Sequence, residues 1–256
     1  PAWLAAEGGT PQTLTAHEGY YLDPVFTPDG ARLAFLAGAA SDQLYAILLD
    51  TPPPDHDGPD SRAEIGGIDP PNTLEIRVMP AAGGAQTPVA PAQGGRGLHF
   101  AQRDNDRVYF RTNRGLASIT LGGFDRRTHV RVQGVGPGNN PPAAEEIRLS
   151  PDGTRAFVSL QGRHHLFSLP RSGKETVEVR IQGRGDTTVP VTHLSAEGGD
   201  YLDWSADSTS VVWALGAQVF RQAVGAAEPE RFDVVVETPR ARPTGSVLLT
   251  GGRVIT

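Results

Sequence analysis

Seven histidines are the first candidates for metal or acid–base chemistry in this sequence. It contains no cysteine, which excludes disulfides, thiolate ligands and a cysteine nucleophile. The histidines are His17, His56, His99, His129, His164, His165 and His193. His164 and His165 adjoin at the predicted start of a strand, where successive side chains point to opposite faces. These two rings therefore cannot share a metal ion, and we expect one at the surface and the other half-buried.

An acidic, proline-rich stretch at residues 50–64, DTPPPDHDGPDSRAE, is the second candidate. A calcium loop would alternate its carboxylates and add an early glycine and a late bidentate glutamate. Asp55, Asp57 and Gly58 fit only part of that pattern. We interpret the stretch as a solvated, proline-stiffened insertion, anchored by an extra strand at residues 43–50.

The remaining signatures of catalysis are missing. No Gly-x-Ser-x-Gly occurs, which argues against a serine nucleophile, and the glycines of residues 132–142 precede neither a helix nor a lysine that could cradle phosphate. We therefore assign no catalytic, metal-binding or cofactor-binding residue in this chain.

Composition excludes two classes of partner. The 23 basic and 29 acidic residues give a net charge of −6, and no basic patch is interleaved with aromatic residues, so nucleic acid is excluded. No apolar run approaches the roughly 20 residues that span a bilayer. No signal peptide is visible, and the first residue is proline, which suggests a processed or trimmed chain.

One hairpin sequence recurs along the chain with aligned residues at its turn. Residues 147–162, IRLSPDGTRAFVSLQG, recur as 25–38 and 202–216, with a degenerate copy at 98–110. The aligned positions are Phe26, Leu149 and Trp204, then Thr27, Ser150 and Ser205, then Asp29, Asp152 and Asp207. Because Pro, Asp and Gly are turn formers, we interpret these aspartates as turn caps and not as catalytic carboxylates.

A second hairpin follows each of the first. It occurs at residues 74–89, 116–130, 166–179 and 219–234, and without a preceding partner at 3–15. Each repeat has four strands, and the last three turn aspartates, Asp104, Asp152 and Asp207, are 48 and 55 residues apart. This pattern predicts an all-β propeller. About four and a half blades are present. We expect them to be part of a larger ring, and the alternative is a small complete propeller.

The repeat resembles those of TolB-like propellers, on the apolar-[Ser/Thr]-x-Asp motif and its Pro-Asp-Gly turn. The tail at residues 246–256, SVLLTGGRVIT, resembles the first strands of the β-sandwich that precedes the metal-binding barrel in the amidohydrolase family. The resemblance implies a propeller at 1–239, incomplete at its N-terminus, and at 240–256 a linker with the first strands of a second domain.

The same resemblance implies a function. The chain would be the non-catalytic propeller segment of a metal-dependent amidohydrolase, acting as scaffold or substrate gate, with its own or a separate hydrolase domain as partner. A zinc-type divalent metal is expected only in that following domain, because the family's His-x-His ligand pair is absent here. The resemblance also favours a periplasmic or secreted location.

Two alternatives stay open. One is a TolB-like module that binds a protein partner and has no enzymatic activity, and the other is the filter propeller of a serine peptidase. The residues after 256 discriminate among the three. In each case we expect the connections between blades and the long insertion at 41–72 to share one functional face, opposite the Pro-Asp-Gly turns.

Overall fold

Alternating apolar positions and Gly- or Asp-containing turns form short antiparallel strands along the chain. The computed structural model describes residues 2–3, 12–15, 18–40, 74–136, 141–169, 176–182, 186–187, 189–195 and 197–235. The strands, in chain order, are β1 (Ala2–Trp3), β2 (Gln12–Thr13), β3 (Tyr20–Phe26), β4 (Arg32–Gly38), β5 (Glu75–Pro80), β6 (Thr87–Pro91), β7 (Arg96–Phe100), β8 (Arg107–Thr112), β9 (Gly115–Thr120), β10 (Arg127–Gln133), β11 (Glu146–Leu149), β12 (Arg155–Leu160), β13 (Arg163–Ser168), β14 (Val177–Gln182), β15 (Asp186–Thr187), β16 (Val191–Ser195), β17 (Asp200–Trp204), β18 (Ser210–Leu215), β19 (Gln218–Ala223) and β20 (Glu230–Asp233).

Four sheets are arranged as the four blades of a β-propeller, which confirms the predicted fold class. Blade 1 has the strand order β3-β4-β5-β6, blade 2 β7-β8-β9-β10, blade 3 β11-β12-β13-β16 and blade 4 β17-β18-β19-β20. The first strand of each blade lines the centre. Strands β1 and β2 form a separate two-stranded sheet that, within the described ranges, is hydrogen-bonded to no blade. That the chain is part of a larger ring stays a prediction.

Apolar side chains of adjacent blades share one core at each of three interfaces. Ile76 of blade 1 packs in one cluster with Phe110 of blade 2. Tyr109 of blade 2 lies in a second cluster with Ile147 of blade 3. A third cluster joins blades 3 and 4, and its aromatic members include Phe157 and Trp213, whose ring centroids are 6.2 Å apart.

The aligned turn aspartates cap their own turns, as the sequence predicts. In all three repeats the hydroxyl two residues before the aspartate donates to its carboxylate, for example Ser150 Oγ to Asp152 Oδ1 at 2.6 Å and Ser205 Oγ to Asp207 Oδ1 at 2.6 Å. The backbone N–H two residues after the aspartate donates to the same oxygen. These bonds lower the pKa of Asp207 to about 2, so the carboxylate stays ionised and the turn stays capped at neutral pH.

The second hairpin of blade 3 differs from its prediction. The sequence pattern places the outer strand of this blade within residues 166–179, but β14 leaves blade 3 and lies parallel to β10 on the edge of blade 2, with Val132 opposite Val179. Strand β16 takes its place and pairs with β13. The reason is burial, because Val179 and Ile181 join the core shared by blades 2 and 3. The insertion at 41–72 and the tail at 240–256 lie outside the described residues.

Candidate functional site

The inner strands of blades 1, 2 and 4 carry the same irregularity. In each, one extra residue shifts the register against the second strand, between Leu22 and Val25, between Arg96 and His99, and between Asp200 and Asp203. The extra residue has a left-handed backbone: φ is 49° at Asp23, 68° at Gly97 and 58° at Tyr201. Such β-bulges redirect side chains and are frequent beside functional sites. Blade 3 is regular here, and Glu146 takes the equivalent position.

These four equivalent positions line one cavity of about 360 Å³, where the inner strands begin. The cavity receives residues from every blade, so it is the mouth of the central channel. Its lining is charged almost throughout and consists of Asp23, Arg96, Gly97, Arg111, Glu145, Glu146, Arg148, Asp200 and Tyr201. The mouth opens on the side of the connections between blades, which is the face that the sequence analysis expects to be functional.

Several of the charged groups at the mouth hold the blades together. Asp23 of blade 1 accepts a 2.6 Å hydrogen bond from the backbone N–H of Gly97 in blade 2. Arg148 of blade 3 pairs with Glu146 at 2.6 Å and also donates to the carbonyl of Leu98 in blade 2. Glu145 accepts from Ser159 Oγ and from the backbone N–H of Gln161. These groups are already paired, so they shape the mouth.

Arg96 and Arg111 differ from their neighbours because they are directly opposite each other on β7 and β8. Like charges in this position repel. Arg111 is half-buried and donates Nε to the carbonyl of Ala144, and Arg96, which is exposed, donates to the carbonyl of Gly95. Within the described ranges neither guanidinium forms an ion pair. Burial, together with the charge of Arg96, lowers the pKa of Arg111, against an opposing effect of Glu145. The mouth therefore has two closely spaced cations that form no direct ion pair among the described residues, although carboxylates such as Glu145 lie in the same lining.

The other end of the channel, beside the Pro-Asp-Gly turns, is chemically different. A cavity of about 550 Å³ lies there, with more apolar lining from Val25, Phe26, Phe100 and Pro151. His99 borders it but is fixed: Nδ1–H donates to the carbonyl of Gly97 at 2.9 Å, and Nε2 accepts the N–H of Leu149 at 3.0 Å. Burial lowers the pKa of His99 to about 3, so the ring is a neutral link between blades 2 and 3.

The adjacent histidines are both buried, and the expectation of one surface ring is wrong. His164 is 0% exposed; Nε2 lies 3.2 Å from the carbonyl of Gly199, and the ring contacts Phe157 and Trp213 edge-on. His165 is 4% exposed and faces a third histidine, His193 on β16, which the sequence did not associate with it. The sequence pattern does not predict this pairing, because β14 and β15 lie between β13 and β16 in the chain and do not belong to blade 3.

A serine and a histidine also meet in blade 2. Ser118 Oγ lies 2.7 Å from His129 Nε2 and accepts a 2.9 Å hydrogen bond from Arg107. Ser118 is 0% exposed, so no substrate could reach its hydroxyl. The pair is a buried hydrogen bond and not a nucleophile with its base. His17 and His56 lie outside the described residues.

Sequence reasoning missed the channel mouth. The sequence predicts the degenerate hairpin at residues 98–110. It does not predict the bulge after Arg96 or the position of Arg96 opposite Arg111, because the residue types there do not mark a bulge. In the part of the chain that the structure describes, no three His, Asp or Glu side chains are grouped to hold a metal ion. Nor do those residues include a helix long and apolar enough to cross a membrane.

Comparisons with known proteins find likeness in structure and not in sequence. No family model matches the chain, and no curated protein matches it. A protein from Lactobacillus plantarum is similar at 17% identity and a TM-score of 0.43, over 92% of this chain and 64% of that one. An oligogalacturonate lyase in complex with manganese is similar at 12% identity and 0.48, over 86% and 54%. TolB from Acinetobacter baumannii is similar at 13% and 0.41, over 90% and 60%.

The chain thus spans about three-fifths of the length of these solved structures. One of these similar structures is a TolB protein, the class of propeller that the repeat motif resembles. None of the comparisons supports the amidohydrolase domain that the tail at residues 246–256 suggests.

Proposed function

We propose that this chain is a non-catalytic binding propeller whose channel mouth receives a carboxylate group of its ligand. The observation that supports this is the Arg96–Arg111 pair, two guanidinium groups on neighbouring strands that form no direct ion pair among the described residues. A guanidinium binds a carboxylate through two parallel hydrogen bonds, and such charge-assisted bonds are about twice as strong as neutral ones. A bound carboxylate would also remove the repulsion between the two cations.

The mouth suits a ligand with other polar groups beside the carboxylate. Asp23, Glu145, Glu146 and Asp200 surround the arginines, so a purely anionic ligand would meet repulsion. Tyr201 is 82% exposed at the rim and offers an aromatic face. An acidic peptide or an acidic sugar, with amide or hydroxyl donors for the surrounding carboxylates, fits this arrangement.

The test is calorimetric titration of the chain with triglutamate at low salt, compared with triglutamine, which has the same shape without the side-chain charges. Arg96 is exposed, so Arg96→Gln should fold normally. Because a hydrogen bond to a charged group contributes about 1.5–3 kcal/mol, the affinity should fall about 10- to 150-fold. Arg111→Lys keeps the charge but removes the planar fork, and should weaken binding as well.

The matched control is Arg131→Gln. Arg131 is paired with Glu178 on the outer edge of blade 2, away from the mouth, so its loss should leave the affinity within twofold. Equal binding of triglutamate and triglutamine, or equal losses in Arg96→Gln and Arg131→Gln, would show that the arginine pair does not select a carboxylate.

A second candidate function rests on the tail. The resemblance of residues 246–256 to an amidohydrolase β-sandwich favours a following hydrolase domain with a zinc-type metal, for which this propeller would be scaffold or substrate gate. The chain itself should then hydrolyse neither amides nor esters, with or without added zinc. The sequence of the complete gene decides the matter: a His-x-His pair after residue 256 supports this function, a stop codon contradicts it, and Gly-x-Ser-x-Gly indicates a serine peptidase instead.

A further inference from the structure

Two histidines at the outer edge of blade 3 face each other across neighbouring strands. His165 on β13 is opposite His193 on β16, with the two Nδ1 atoms 3.0 Å apart. The ring centroids are 4.9 Å apart and the ring planes are inclined by 76°. The pair lies on the third and fourth strands of its blade, so it does not belong to the channel mouth.

The hydrogen bonds of His165 fix which of its nitrogens has a free lone pair. The backbone of Leu160 is a second hydrogen-bond partner of the ring, and it acts to raise the pKa of His165, as a carbonyl that accepts an N–H does. Since Nδ1 faces His193, that N–H is on Nε2, and Nδ1 presents its lone pair. Metal-binding histidines are oriented in the same way, by donating their other N–H to a backbone carbonyl or a carboxylate.

The protonation state is compatible with metal binding near neutral pH. Burial lowers the pKa of His165 to about 4, and the neighbouring His193, His164 and Arg163 act in the same direction. These are the titratable or charged groups that act on His165, and no carboxylate is among them. The imidazole of His165 is therefore neutral at pH 7, as a ligand must be.

The distance between the two nitrogens fits two ligands of one metal ion. With metal–nitrogen bonds of about 2.0–2.1 Å, two nitrogens are about 2.9 Å apart at a right angle and about 3.3 Å apart at the tetrahedral angle. The observed 3.0 Å is close to the first value. Right-angle coordination by nitrogen is typical of Cu²⁺ and Ni²⁺, and Cu²⁺ binds most tightly of the divalent first-row ions.

We propose that His165 and His193 form a two-imidazole binding site for a divalent transition-metal ion, with Cu²⁺ preferred. His165 is the fixed ligand, because it is buried and held by Leu160. His193 is exposed and can turn its ring so that both lone pairs meet at the metal. The proton on Nδ1 of His193 is displaced and passes through water to Nε2 of the same ring, which stays neutral, and water completes the coordination.

The site should bind with micromolar affinity because only two side chains hold the ion and Arg163 lies nearby. The experiment is titration of the chain with copper sulfate at pH 7.5 and again at pH 5.5, with electron paramagnetic resonance of the one-to-one complex. We expect nitrogen couplings from two imidazoles at pH 7.5. Since protons compete with a metal ion for imidazole nitrogens, the affinity should be lower at pH 5.5 than at pH 7.5.

The decisive variant is His193→Gln, which removes the exposed ligand and leaves the buried one in place. It should lose at least tenfold in affinity and show one imidazole coupling fewer, and copper should no longer raise its Tm. The matched control is His129→Gln, which also removes one histidine but one whose partner is Ser118. Equal copper affinity in His193→Gln and the parent chain, or a parent chain that binds no copper at 100 µM, would overturn the proposal.

Discussion

Hydroxyl and imidazole groups do similar structural work in this protein, because each satisfies backbone groups that a turn or a blade interface leaves unpaired. Ser150 is 0% exposed and its Oγ donates to Asp152 while it accepts the N–H groups of Thr154 and Arg155. His99 does the same between blades, with one ring nitrogen donating and the other accepting. The sequence predicts the first kind of group, because the turn is local and repeated. It does not predict the second, because the partners of His99 come from a bulge and from another blade.

The hydroxyl at the turn should be important for stability. Ser150→Ala leaves the partly buried N–H of Arg155 without its side-chain acceptor, which costs about 0.5–1.5 kcal/mol. Ser168→Ala is the matched control, since Ser168 is exposed at the end of β13. Urea unfolding of both variants measures the difference, and equal stability of the two would mean that the cap contributes nothing.

Buried neutral histidines should make the protein sensitive to mild acid. In the folded state the pKa of His99 is about 3 and that of His165 about 4, whereas in the unfolded chain both are near 6.5. Between these values the unfolded state binds more protons, so stability is complete above pH 6.5 and falls as the pH decreases. Each histidine adds a slope of at most about 1.4 kcal/mol per pH unit.

His99→Gln tests this dependence. Its free energy of unfolding should fall less between pH 7 and pH 5 than that of the parent chain. The two slopes should differ by at most about 1.4 kcal/mol per pH unit, the value for one proton. Urea unfolding at pH 7, 6 and 5 gives the two slopes. Parallel curves would show that His99 does not remain neutral in the folded protein.

Strands whose hydrogen-bonding partner is next in sequence follow the repeat, and the strand whose partner is distant does not. The hairpins of blades 1, 2 and 4 can be predicted from the sequence, because alternation and turn residues specify them locally. Strand β14 has the same alternation, but nothing in it specifies a parallel partner in another blade. The displacement of β14 also explains why His193, on β16, was not recognised as the neighbour of His165.

The position of β14 predicts an effect that a surface hairpin would not show. Ile181 is 4% exposed in the core between blades 2 and 3, so Ile181→Ala should cost about 2–5 kcal/mol. Glu178 on the same strand is exposed and forms a surface ion pair, so Glu178→Ala should change stability by less than about 1 kcal/mol. Similar values for both variants would mean that β14 does not pack against blade 2.

The two ends of the channel differ in the polarity of their lining, so the two faces of the propeller are chemically distinct. The mouth beside the connections is charged and bulged, and its Arg96 and Arg111 form no direct ion pair among the described residues. The end beside the Pro-Asp-Gly turns has a more apolar lining that includes turn residues. Adjacent blades share cores from blade 1 through blade 4, so the inner strands hold both ends at fixed distances. We therefore expect ligand binding at the charged mouth and a structural role for the end beside the Pro-Asp-Gly turns.

Substitution of Tyr201 at the charged mouth should affect ligand binding more than stability. A tyrosine with φ of 58° is in a conformation that costs an L-residue roughly 1–2 kcal/mol, and glycine adopts it freely. Tyr201→Gly should therefore leave the free energy of unfolding within about 1 kcal/mol of the parent, since the relief of strain offsets the larger entropy of unfolded glycine.

Binding of triglutamate should respond differently. Loss of the exposed aromatic ring at the rim should weaken it about 5- to 10-fold, equivalent to roughly 1–1.4 kcal/mol. Phe26→Ser, at the opposite end of the channel, removes an aromatic ring that is 48% exposed and should leave the affinity unchanged. If Phe26→Ser weakens binding and Tyr201→Gly does not, the ligand enters from the side of the turns, and the assignment of the two faces must be reversed.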